Sequence, residues 1–186
     1  MSRAIYQLIA YGFYPAWLIA GAFDYWCHRR SSIESTSGVV ESLYHVAQLA
    51  TMAIIVLGIA LFAGSLTAFA IVVAAGLCHT VLSYLDVRFT DQRRYISPLE
   101  QHVHAVLDIV PLASIALWIV LEWPNASGTW RLQWRTPMLS GLQLAAIFIS
   151  VFVVAGAPVL EELWRTARAA GRMRKSGDHI GLATIK

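Results

Sequence analysis

The chain is 186 residues long, 58% hydrophobic and only 13% charged, whereas soluble domains carry about 25% charged residues. That composition excludes an ordinary water-soluble domain, and a net charge of +3 is too small a surplus to call for nucleic acid as a partner. Cys27 and Cys78 match no Cys-x-x-Cys spacing, which excludes a disulfide framework and a thiolate metal site.

Five apolar runs reach the roughly 20 residues needed to cross a hydrocarbon core: 4–26, 42–63, 66–85, 99–121 and 139–160. They predict an all-α integral membrane bundle of five transmembrane helices. Gly64-Ser65 makes a tight hairpin between the second and third, and Trp123, Trp130 and Trp134 in the loop before the fifth suit a membrane interface. The arginines set the orientation. Arg29 and Arg30 follow the first run, Arg88, Arg93 and Arg94 separate the third from the fourth, and Arg165, Arg168, Arg172, Arg174 and Lys175 follow the fifth. The opposite side has Arg3, Arg131 and Arg135. The positive-inside rule then puts the N-terminus outside and the C-terminus in the cytoplasm, with a bacterial inner membrane as the expected setting. Residues 1–164 form one transmembrane domain on this reading, and 165–186 a basic cytoplasmic tail in contact with lipid headgroups.

Ionisable residues interrupt the apolar runs in a regular way. The first run, which Pro15 should kink, ends with Asp24 and His28, four apart and so on one helical face. Ser31 and Glu34 in the following link fit a capping box. The second helix opens with Glu41 and His45, again four apart, and Gln48 and Met52 continue that face; His45 lies about 10 Å beyond Gly38 at 1.5 Å per residue, too deep to mark a boundary. The third carries His79 and Asp86, seven apart. In the fourth, Ser97, Pro98 and Glu100 fit an N-cap, first-turn proline and capping box, but His104 and Asp108 extend the Glu100 stripe one and two turns deeper. The fifth run should bring no ligand, because Glu161 and Glu162 follow Pro158 at the rim, and it should pack through Gly141 and Gly156.

In the predicted orientation all four ionisable sets fall in one cytoplasmic-side slab, with five of the six histidines in or beside it and His179 left in the tail. An acid or base at a helix centre costs about 2.5–3.5 kcal/mol on insertion scales, so these groups need partners. Asp24, His28, Glu41, His45, His79, Asp86, Glu100, His104 and Asp108 are nine candidate ligands, with Glu34 and His102 beside them as outer partners. A zinc site needs three or four. Nitrogen and oxygen donors without thiolate favour iron, with zinc or manganese as alternatives, and the surplus points to two metal ions and room for a third.

Carboxylates and histidines facing one another across four membrane helices resemble the integral-membrane di-iron class of fatty-acid desaturases, hydroxylases and related oxidases. Here acids take the places of many of that class's histidines, and the one close histidine pair is His102-Val-His104. The resemblance implies a metal site at the cytoplasmic face that oxidises or hydroxylates a lipid-soluble substrate with dioxygen, using electrons from a cytoplasmic donor. It also implies Asp24, Glu41, Glu100 and Asp108 as carboxylate ligands and His28, His45, His79 and His104 as nitrogen ligands, with Asp86 and His102 as ligands or outer partners. Two other readings stay open: a zinc-dependent membrane lipid hydrolase, and a divalent-metal or proton transport protein.

Overall fold

The computed structural model describes residues 2–126, 128 and 130–183, without the side chains of 2, 125 and 175–183; the expectations for Lys175 and His179 lie outside that description. Seven α-helices account for most of it: α1 (Ser2–Leu8), α2 (Tyr14–Ser31), α3 (Gly38–Leu61), α4 (Leu66–Asp91), α5 (Pro98–Glu122), α6 (Gly141–Val151) and α7 (Ala157–Ala183). A π-helical turn, Ile9–Phe13, joins α1 to α2 and another, Phe152–Gly156, joins α6 to α7, so the seven form five rods. Among the described residues four helices are long and apolar enough to cross a membrane: Gly38–Leu61, Leu66–Asp91, Pro98–Glu122 and Gly141–Arg174. The first rod is the exception: Tyr6, Gln7, Tyr11, Gly12, Tyr14 and Pro15 dilute its apolar stretch, and Asp24, His28, Arg29 and Arg30 lie toward its C-terminal end.

The helices close a ring in which α2 packs on α5, α5 on α4, α4 on α3, α3 on α7 and α7 on α2, with α3 also touching α5 across the middle. One half of the ring is apolar. Trp17, Met52, Ile55, Phe69, Val72, Ile115 and Trp118 are buried there, with the Phe69 and Trp118 rings edge to face at 5.2 Å. The outward surface is apolar as well, with Leu77, Ile109, Leu142, Phe148 and Phe152 among its exposed side chains. Inside a bilayer that surface meets lipid, and close van der Waals packing holds the helices together. Gly58 and Gly76 provide it: an added Cβ would lie 2.4 Å from Val72 Cγ2 and 2.7 Å from Ile115 Cδ1.

Several local expectations change. Pro15 sits in the first turn of α2, directly after the π turn in which the Tyr14 N–H donates to the Ile9 carbonyl. Ser97 caps α5 by accepting from the Glu100 N–H at 3.2 Å, but the Glu100 side chain turns away from the cap. Ser31 ends α2 and caps nothing; Ser32 reverses the chain at φ 52°, and Glu34 pairs with Arg165. Gly141 has no neighbour within 4 Å of an added Cβ, and Gly156 meets only its own helix, so neither mediates close packing. The largest change is in the last rod: α7 continues through Pro158 and past 164–165, with Thr166 buried against Ser42 at 3.1 Å. Pro158 falls near the start of α7, just after the π turn, where a proline is tolerated.

Candidate metal centre

The polar half of the ring gathers residues from all five rods. His28 on α2 and His45 on α3 stack with ring centroids 4.4 Å apart and planes 4° from parallel. Both turn Nδ1 toward a single carboxylate on α7: Glu162 Oε2 lies 2.9 Å from His28 Nδ1 and Oε1 lies 2.6 Å from His45 Nδ1. All three side chains are buried. A carboxylate that accepts Nδ1–H fixes the tautomer and leaves Nε2 with a lone pair to offer, as in carboxylate–histidine–metal triads.

What those Nε2 atoms face is the central feature. Around His28 Nε2 stand Asp24 Oδ1 at 3.5 Å, Glu100 Oε1 at 3.5 Å and Glu41 Oε1 at 3.7 Å. These separations are too long for good hydrogen bonds. They are close to the roughly 3.4 Å expected between two ligands on one tetrahedral ion with bonds of about 2.1 Å. His104 Nε2 joins from α5 at 2.9 Å from Asp24 Oδ1, so Asp24, His28, Glu100 and His104 form one potential ligand group, and His28, Glu41 and His45 an adjoining one. His45 Nε2 lies 3.2 Å from Asp86 Oδ2, which also accepts from Gln48 at 3.1 Å. Buried atoms without a hydrogen-bond partner among the described residues include Asp24 Oδ1 and the Nε2 atoms of His28 and His45. Orphaned buried atoms of ligand type are what a cation would satisfy, so the donor set fits a metal.

His79 and Asp108 form a separate pair at the edge of this cluster. Their Nε2 and Oδ1 atoms, also unpartnered, are 4.0 Å apart, while Thr51 lies 3.2 Å from His79 Nδ1 and Ser83 donates to Asp108 at 3.1 Å. His79 nevertheless lines the same small cavity, of about 80 Å³, as Asp24, His28, His45 and Glu162. The two outer partners lie elsewhere: Glu34 binds Arg165 near the end of α2, and His102 is exposed with Nδ1 2.7 Å from the Pro98 carbonyl.

The sequence reading missed two members. Glu162 reaches the cluster from the fifth rod as the hydrogen-bond partner of His28 and His45 and is in neither potential ligand group, and the signal that could have found it was the helical spacing of Glu162 and Thr166, which share the face turned to α3. Arg94, read as a topology signal, is buried in the turn between α4 and α5. It donates to Glu41 at 2.5 and 3.3 Å and to Glu100 at 2.5 and 3.1 Å. The Oε1 atoms it holds are the same two that face His28 Nε2. Burial alone would lower the Arg94 pKa, but hydrogen bonds to Glu100 and Glu41 outweigh it and raise the value, so the guanidinium is permanently charged. Ser37 adds a hydroxyl donor to Glu41.

The chain matches no protein-family model, no curated protein and no solved structure.

Proposed function

We propose that the chain is an integral-membrane metalloenzyme with a multinuclear, di-iron centre near the cytoplasmic face, which oxidises or hydroxylates a lipid-soluble substrate with dioxygen. The observation that carries this reading is the stacked His28–His45 pair, tied through Nδ1 to Glu162 and turning Nε2 toward carboxylates at ligand spacing. Nitrogen and oxygen donors suit iron, and carboxylate-rich surroundings favour its higher oxidation states. An iron pair supplies dioxygen activation when bound. The chain's own residues do the rest: Glu162 orients two ligands, Arg94 sets the negative charge left on Glu41 and Glu100, and Trp17 and Met52 form the apolar wall between the cluster and the other half of the bundle. In a hydroxylation, one C–H becomes C–OH, the second oxygen atom leaves as water, and two electrons and two protons come from a cytoplasmic donor. The exposed Arg29 and Arg93 offer that donor a basic surface.

In this reading the first rod is a fifth span, the N-terminus is outside and the cluster lies at the cytoplasmic, arginine-rich end of the bundle. Reporter fusions after Arg30, Gly64, Arg94 and Arg174 should report inside, outside, inside and inside; an outside signal after Arg94 overturns the topology.

Metal analysis of the purified protein tests the centre itself. About two iron ions per chain, with charge-transfer absorption in the near ultraviolet, are expected. His28→Ala should lose at least one equivalent, whereas His102→Ala, at an exposed position, should lose none. Zinc alone points to a hydrolase. Metal-free protein with all the histidines in place reduces the cluster to an ion-pair network.

A further inference from the structure

The apolar half of the bundle encloses a cavity of about 770 Å³, within the range of small-molecule sites. Its wall changes character along its length. At the end away from the cluster it presents Arg3, Gln7, Arg135 and Gln143. Its middle is apolar, with Ile55, Val110 and Pro111. At the inner end are Trp17 and Met52, and these two also line the small cavity beside His28, His45 and Glu162. From Arg3 to Trp17 is 14 residues of helix, about 20 Å at 1.5 Å per residue.

The two arginines are not consumed by the protein. Arg135 lies over the Tyr6 ring, 4.1 Å from its centroid, and among the described residues neither Arg3 nor Arg135 forms an ion pair. The nearby acid on α5, Glu122, is engaged by the Tyr6 hydroxyl and by the Gly64 N–H at 3.0 Å. No carboxylate lines the cavity among the described residues. Two guanidinium groups at one end, a long apolar middle and the apolar wall of Trp17 and Met52 at the other together specify both the charge and the direction of an occupant.

We infer that the cavity binds a single-chain amphiphile with an anionic head group on Arg3 and Arg135 and the far end of its chain against Trp17 and Met52. The binding mode stands on the cavity alone; that oxidation falls at the end of the chain held against this wall rests on the proposed function. Selectivity then falls near the methyl end of the chain, set by distance from the head group.

Equilibrium binding to the metal-replete protein, with palmitate, hexadecyl phosphate and hexadecanol as probes, tests it. Both anions should bind at least tenfold more tightly than the alcohol, and Arg3→Gln with Arg135→Gln should remove most of that preference while leaving hexadecanol binding unchanged. Palmitate carrying a diazirine at its methyl end should label the peptides containing Trp17 or Met52. Equal affinity for acid and alcohol, or methyl-end labelling near Arg3, overturns the inference. Metal content measured on the same samples separates the two readings: metal with no anionic preference overturns this inference alone, and anionic preference in a protein that never takes up metal overturns the metalloenzyme alone.

Discussion

Arg94→Gln is expected to be the most destabilising single change in the polar half of the bundle. The arginine comes from the turn between α4 and α5, is 9% exposed, and forms two-pronged contacts with Glu41 on α3 and Glu100 on α5. Removing it leaves two carboxylates buried without their cation, a loss of about 3–5 kcal/mol. For a chain of this size that corresponds to a fall of roughly 10 °C or more in melting temperature. Arg94→Lys keeps the charge but not the fork, and should fall between the two. Because the freed Oε1 atoms also face His28, added divalent metal should restore more stability to Arg94→Gln than to the wild type. Thermal unfolding in detergent with and without metal measures both effects; an unchanged melting temperature would show that Glu41 and Glu100 are satisfied some other way.

Glu162→Ala should be the most damaging change to metal binding among residues that are not themselves proposed ligands. It removes the acceptor from two Nδ1 atoms at once, so both imidazoles lose the contact that fixes their tautomer and rotation. Loss of one such outer partner lowers metal affinity about 10–100-fold. Glu161→Ala is the natural control, since that side chain binds Tyr25, Arg29 and Arg165 on the outside of the bundle. Metal titration of the two variants should separate them by at least tenfold. Equal affinities would remove Glu162 from the centre.

The helical content and the convergence of Asp24, His28, Glu41, His45, Glu100 and His104 were legible in the sequence, because acid and histidine four residues apart share a helical face and a membrane gives such faces few other uses. Period alone could not say which way a stripe turns once tertiary neighbours compete for it. His79 and Asp86, seven apart, part company in the structure: His79 faces Thr51 and Asp108, while Asp86 faces His45 and Gln48. Glu100 satisfied a capping pattern, yet its carboxylate is drawn to Arg94, since a buried guanidinium outbids a backbone N–H. Arg94 itself sits outside any helix and so carries no periodic signal. Glu162 was hidden by Pro158, which looked like a terminus; the π turn before it lets the last rod continue and bring that acid inward.

The dependence of the cluster on Glu162 also sets when it can be completed during synthesis. The acceptor that orients His28 and His45 leaves the ribosome 58 residues after His104, a delay of about 3–12 s at roughly 5–20 residues per second. Until the final rod inserts beside α3, the earlier helices hold carboxylates and imidazoles that are not yet locked into a ligand set. If the centre is the metal site proposed, truncated chains that lack the final rod should capture metal poorly, and loading would report that this rod has been made and has docked beside α3.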